Sequence, residues 1–281
     1  MKLAVVGGRA HVMDGRGRGA DVSAVSAGLL PADPMDLLEN WADLLEWAVT
    51  LSADAYDVPL DPAALEAPVP RPRQVFAVAL NYPPHAAEAG FTPPADPLVF
   101  TKFPTCIAGP NITVELPDGK VDWEAELVAV IGAEARHVPA EQAWEHVAAL
   151  TVGQDLSERV TQSRGAPAQF SLGKSFPGFG PIGPVLVTPD ELEDPDDLEV
   201  TALLGDEVVQ HDRTKSMIFP VPELVARLSA ILPLLPGDLI FTGTPAGVGN
   251  RRTPPRYLTP DDLLVTRISG IGEIRQRFTR S

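Results

Sequence analysis

Residues 121–132, VDWEAELVAVIG, carry two glutamates two positions apart into an apolar run. The stretch reads as a buried strand. Side chains alternate across a strand, so Asp122, Glu124, Glu126, Val128 and Val130 share one face, and Trp123, Ala125, Leu127, Ala129 and Ile131 share the other. The first face sets acids beside valines. Like charges against a hydrophobic wall are costly to bury unless something positive neutralises them. A divalent metal ion would do so, and an oxygen-only donor set suits Mg²⁺, Mn²⁺ or Ca²⁺ better than Zn²⁺. The same string also suits a strand end in water with both glutamates solvated, and Glu-x-Glu alone does not choose between the two.

On the C-terminal side, residues 147–155, VAALTVGQD, read as a second buried strand that ends in an acid. Asp155 is then placed to join Glu124 and Glu126, and carboxylates converging from two strands with waters completing the shell form an ordinary Mg²⁺ arrangement. Arg159, Gln162 and Lys174 follow in a polar stretch. Each could donate to an anionic or carbonyl-bearing substrate, and each could equally be a solvated surface residue. On the N-terminal side, Asp118-Gly119 reads as a hairpin turn feeding the acidic strand. Residues 98–110 read as a strand and turn.

Further upstream, QVFAVAL (residues 74–80) is a short buried strand running into NYPPHAAEAGFTPPADP. His85 and Glu88 lie three apart, which on a helical turn brings them within hydrogen-bond reach. A carboxylate beside an imidazole fixes its tautomer and raises its basicity, as a general base requires. By spacing alone, a surface histidine beside a surface glutamate is the commoner meaning. The segment through Pro97 has no periodicity and could form a lid.

The remainder is turn-rich. Thirty prolines and 23 glycines in 281 residues favour a loop-rich mixed architecture over a helix bundle. Residues 2–27 read as short strands joined by glycine turns. Asp33 is a helix N-cap with Pro34 at the first helical position, and Leu37, Trp41, Leu44, Leu45 and Ala48 then fall on one face of a single packing helix. Residues 56–73 read as a linker. After it come a hairpin around Gly205-Asp206, an amphipathic helix in PELVARLSAIL, and a glycine loop, TGTPAGVG, that lets backbone amides approach a ligand closely. The closing DDLLVTRISGIGEIRQRF reads as two edge-like strands.

The formal net charge of −16 argues against nucleic acid and anionic membranes as partners. No apolar run reaches the length of a membrane span, and the start of the chain lacks the features of a signal peptide. A single cysteine, Cys106, rules out an internal disulfide and fits a reducing cytoplasm.

Taken in order, ALNYPPHAAE, VDWEAELVAVIG, GQDLSERVTQ, LGKSF, GPIGPVLVTPDEL, MIF, PGDLIFTGTPAGVG and ISGIGE resemble the fumarylacetoacetate hydrolase family over about residues 73–281. The resemblance implies an α+β fold in which a mixed β-sheet is rolled into a pseudo-barrel. It implies a small N-terminal β/α domain (1–70), a catalytic domain (71–281), and a homodimer. It implies Mg²⁺, with Mn²⁺ or Ca²⁺ as alternatives, held by Glu124, Glu126 and Asp155. It places a His-Glu catalytic dyad on His85 and Glu88, a catalytic lysine on Lys174, and substrate contacts on Arg159, Gln162 and Thr244. The expected substrate is a small keto acid. The expected reaction is hydrolysis of a C–C bond in a β-diketo acid of the acylpyruvate type, with decarboxylation or isomerisation of 2-oxo or 2-hydroxydienoate acids as alternatives and an inert binding homologue as a lesser one. Pro84 before the histidine, Gln154 before the third acid, and Val160 after the arginine depart from the pattern of many members.

Overall fold

The computed structural model describes residues 1–280. The acidic stretch folds in two pieces, not as one strand. Val121–Asp122 pairs with Ser157–Glu158 in a small sheet of its own, and Ala125–Ile131 forms the main strand. The ladder is interrupted at Trp123 and Glu124. There the Glu124 amide donates to the Gln154 side chain at 2.9 Å, and Trp123 Nε1 donates to the Gly247 carbonyl at 3.2 Å.

Ala125–Ile131 runs inside an eleven-stranded mixed sheet, antiparallel to Val147–Gln154 on one side and to Leu239–Phe241 on the other. Both of its faces are buried. Leu127, Ala129 and Ile131 enter one apolar core, and Val128 and Val130 enter a second. Each fully buried leucine, valine or isoleucine contributes about 1.5–3 kcal/mol, so this strand anchors both cores. Beyond Leu239–Phe241 the sheet continues through Val75–Ala79, in parallel, and then Leu98–Thr101. In the other direction it passes Gly180–Val187 and takes in Lys2–Val6, Arg9–Met13, Arg18–Asp21 and Val58–Pro59. The N-terminal strands therefore extend the same sheet that carries the acids.

A five-stranded sheet packs beside it, ordered Glu207–Arg213, Glu199–Leu204, Leu263–Ile268, Gly272–Thr279 and Asn111–Glu115. The hairpin expected around Gly205-Asp206 is present. The two closing strands are interior, not edge-like, because Glu199–Leu204 pairs with Leu263–Ile268 and Asn111–Glu115 pairs in parallel with Gly272–Thr279. That pairing also removes the expected hairpin at Asp118-Gly119, since Asn111–Glu115 pairs with neither Val121–Asp122 nor Ala125–Ile131. The expected packing helix is two helices, Pro34–Glu39 and Trp41–Ala48, broken at Asn40. Asp33 caps the first as expected, its side chain accepting from the Met35 amide. Leu37 and Leu38 before the break and Trp41 and Leu44 after it are buried, and Leu45 is exposed. The α+β fold with mixed sheets agrees with the expectation. Among the described residues no helix is long and apolar enough to cross a membrane.

Candidate active site

The register of the two central strands assembles the acids. Ala125 lies opposite Gln154, so the residues just outside the ladder, Glu124 and Asp155, become neighbours, and the Asp155 amide donates to the Glu124 carbonyl at 2.9 Å. Glu126 sits opposite Gly153 on the same strand pair. One carboxylate oxygen from each of Glu124, Glu126 and Asp155 lies within 4.8 Å of the others, and all three residues are buried.

Three cations surround them, Lys102 and Lys174 buried and Arg159 partly buried. Lys174 Nζ donates to Glu124 Oε2 at 2.6 Å and to Asp155 Oδ2 at 2.7 Å. Lys102 Nζ donates to Asp155 Oδ1 at 2.6 Å and to the carbonyls of Lys174 and Phe179. Arg159 Nε donates to Asp122 Oδ1 at 2.6 Å, and its Nη2 is 2.8 Å from Glu124 Oε1 but off line for a hydrogen bond. Burial pushes the Glu124 carboxyl up, yet Lys174 and Arg159 together outweigh it and hold it at about 2. Burial pushes the Lys174 ammonium down, yet Asp155 and Glu124 outweigh it and hold Lys174 above its ordinary value. Glu126 goes the other way. Burial, then Asp155, then Glu124 push it well above the usual carboxylate range, and the Gly243 amide at 2.8 Å only partly offsets them.

His85 and Glu88 occupy one short helix, Pro83–Glu88, with prolines at its start, where no intrahelical amide bond is lost. His85 Nδ1 and Glu88 Oε1 are 2.7 Å apart. Glu88 is held from behind by the Gly247 amide at 3.0 Å. The glycine loop thus approaches protein carboxylates: Gly243 donates to Glu126 and Gly247 to Glu88. Its Thr244 hydroxyl donates to the Ala125 carbonyl at 2.9 Å and accepts from Gln210 Nε2 at 2.8 Å.

These groups meet at a cavity of about 390 Å³. His85, Glu124, Arg159, Gln162, Lys174 and Thr244 all line it, so every expected site residue except Glu88, Glu126 and Asp155 reaches it directly. Those three stand behind, bonded or adjacent to lining groups. Gln162 accepts from Arg159 Nη1 at 3.0 Å. Of the departures, Gln154 is buried and binds the Glu124 amide, while Pro84 and Val160 are exposed.

Sequence reasoning missed Lys102, Asp122 as the anchor of Arg159, and Gln210 as the support of Thr244. Lys102 left one signal, a lysine between two phenylalanines directly after an apolar strand. Asp122 stood on the acidic face with no role assigned. Nothing local marked Gln210.

The donor set suits a divalent cation. Four buried carboxylates, Asp122, Glu124, Glu126 and Asp155, face three cations, and the shortfall falls on Glu126. Three converging oxygens of carboxylate type match a hard ion such as Mg²⁺ or Mn²⁺.

The chain is similar to proteins already described. The family profile described as "Fumarylacetoacetate (FAA) hydrolase C-terminal" matches residues 74–279. Human oxaloacetate tautomerase FAHD2A, mitochondrial, is 41% identical over 226 residues, covering 80% of this chain and 72% of that protein. The crystal structure of 5-carboxymethyl-2-hydroxymuconate delta-isomerase from Mycobacterium smegmatis is 36% identical with a TM-score of 0.69, covering 79% of this chain and 84% of that one. Maleylpyruvate hydrolase from Sphingobium sp. SYK-6, solved with manganese(II) and pyruvate, is 28% identical with a TM-score of 0.82 over the whole of both chains.

Proposed function

The chain belongs to the fumarylacetoacetate hydrolase family, and on that premise we propose that it is a divalent-metal-dependent enzyme that moves a proton at the carbon beside the keto group of a small 2-oxo acid. The observation that carries this reading is the His85–Glu88 pair, 2.7 Å apart, on the cavity that Glu124 and Lys174 also line. The tautomerase and isomerase among the relatives support it.

Glu124, Glu126 and Asp155 would hold the cation, Mg²⁺ or Mn²⁺, which supplies Lewis acidity to the carboxylate and keto oxygens of the substrate. The chain's own groups do the rest. Glu88 binds His85 at Nδ1, which leaves Nε2 as the nitrogen that takes the proton from carbon and returns it. Lys174 sets a positive charge beside the oxygen that becomes negative. Arg159, which lines the cavity, turns its guanidinium charge on the substrate carboxylate, and Gln162 holds the guanidinium in place. Thr244, fixed by Gln210, lines the site.

A second reading, hydrolysis of a C–C bond in a diketo acid, uses the same residues with His85 activating a water. It is favoured by the full-length similarity to the pyruvate-bound maleylpyruvate hydrolase. The test is incubation with Mg²⁺ in D₂O of oxaloacetate, an acylpyruvate and a 2-hydroxydienoate, followed by NMR and mass spectrometry. Metal-dependent deuterium uptake beside the keto group without fragmentation is expected. Fragmentation of the acylpyruvate to pyruvate and a carboxylic acid would select the hydrolase, and no exchange or turnover of any of the three would contradict both.

A further inference from the structure

One charged side chain on the cavity is used by nothing in the site. Of the cations that line it, Lys174 is held by Glu124 and Asp155, and Arg159 by Asp122 and Glu124. Arg251 also lines it, is exposed, and among the described residues its guanidinium meets no carboxylate and donates no hydrogen bond. This is not for want of acids, since the chain has 38 against 22 lysines and arginines. Its neighbours in the same loop are neutralised, Arg252 by Glu207 and Arg256 by Asp262.

We propose that Arg251 binds a second carboxylate at the far end of the substrate, so that the enzyme takes 2-oxo or 2-hydroxy dicarboxylic acids in preference to monoacids with an apolar tail. This rests on the proposed function for the near end of the substrate and names its class. The backbone that carries Arg251 is tied to the site itself. The Asn250 amide donates to Asp122 Oδ2 at 2.6 Å, on the carboxylate that also holds Arg159, and Tyr257 donates to the Asn250 side chain at 2.8 Å. The Arg251 amide closes a 3₁₀ turn on the Val248 carbonyl. A guanidinium on a fixed turn presents a planar pair of donors that matches a carboxylate.

The charge pattern of the cavity agrees. Glu124 is the one carboxylate that lines it, and it is already paired with two cations. A substrate carboxylate at the mouth therefore meets attraction and no opposing acid. Phe91, Leu98, Phe100 and Phe170 line the same cavity and would cover the carbon chain joining the two carboxylates. On a protein of net charge −16, a dianion is otherwise the less favoured ligand, so a preference for it requires a local cation.

The experiment is titration calorimetry of the Mg²⁺-loaded protein with 2-oxoadipate and 2-oxohexanoate, which differ in whether the far end is a carboxylate or a methyl group, with pyruvate as the control for the near end. The wild type is expected to bind 2-oxoadipate roughly tenfold more tightly, the gain being that of a partly exposed charge-assisted contact. Arg251→Ala is expected to erase the difference and leave 2-oxohexanoate and pyruvate unchanged, and Arg251→Lys to keep part of it. Equal binding of the two acids by the wild type, or an undiminished preference in Arg251→Ala, overturns the proposal while leaving the near end intact. Failure of pyruvate and both acids to bind would instead defeat the reading of the near end, and this one with it.

Discussion

Asp155 is held by two lysines, Glu124 by a lysine and an arginine, and Glu126 by a single backbone amide. The difference decides what each substitution does. Lys102 is fully buried and has no aqueous alternative, so Lys102→Met leaves Asp155 short of one partner and three acceptors unfilled. Breaking one side of a buried ion pair costs about 3–5 kcal/mol, and urea unfolding of Lys102→Met is expected to show a loss of that size. A loss below about 1 kcal/mol, the value of an exposed pair, would mean that Lys102 does not anchor the cluster. His85 is a different case, because among the described residues its imidazole bonds only to Glu88. His85→Ala is expected to lower turnover by about 10²–10⁴-fold and to leave Mn²⁺ affinity as it was. Unchanged turnover would remove His85 from the chemistry. The sequence displayed His85 and Glu88 through their spacing. It did not display the cations, because a buried lysine looks like a surface lysine until its partners are placed.

At the scale of elements, the TGTPAGVG loop links the acidic strand to the short helix of His85. Gly247 has φ +107°, and a Cβ there would lie 2.1 Å from the Val209 carbonyl oxygen. Gly247→Ala must therefore shift the loop and pull its amide from Glu88. Backbone strain of this kind costs about 1–3 kcal/mol, so a lower melting temperature and a lower kcat are expected together; a variant with wild-type values of both would contradict the linkage. Elements specified locally were legible: the Gly205-Asp206 hairpin, the Asp33 cap and the two central strands. Elements set by distant partners were not. The break at Glu124 depends on the side chain of Gln154, 30 positions along the chain. The closing strands looked like edges because their outer partners, Glu199–Leu204 and Asn111–Glu115, come from upstream, the second of them far upstream and in parallel.

Over the whole molecule, the site lies where the interior of the large sheet meets the loops that leave it. The family motifs span about residues 73–281, yet the first strands of the chain hydrogen-bond to Gly180–Val187 and share a core with Val128 and Val130 on the acidic strand. A cation bound at the acids is thus coupled to the folding of both segments. Ligand bound only by the folded chain adds about 2.7 kcal/mol of stability at a hundredfold excess over Kd. Thermal unfolding with Mg²⁺ is expected to occur at a higher temperature than with a chelator, and Glu126→Ala to abolish the difference. Identical melting temperatures with and without the ion would separate the metal from the fold.

The most direct measurement is anomalous diffraction from crystals soaked in Mn²⁺. A single peak per chain is predicted, with Glu124, Glu126 and Asp155 each contributing an oxygen at about 2.0–2.6 Å. A peak elsewhere with these three carboxylates unligated, or no peak at saturating Mn²⁺, would contradict the account.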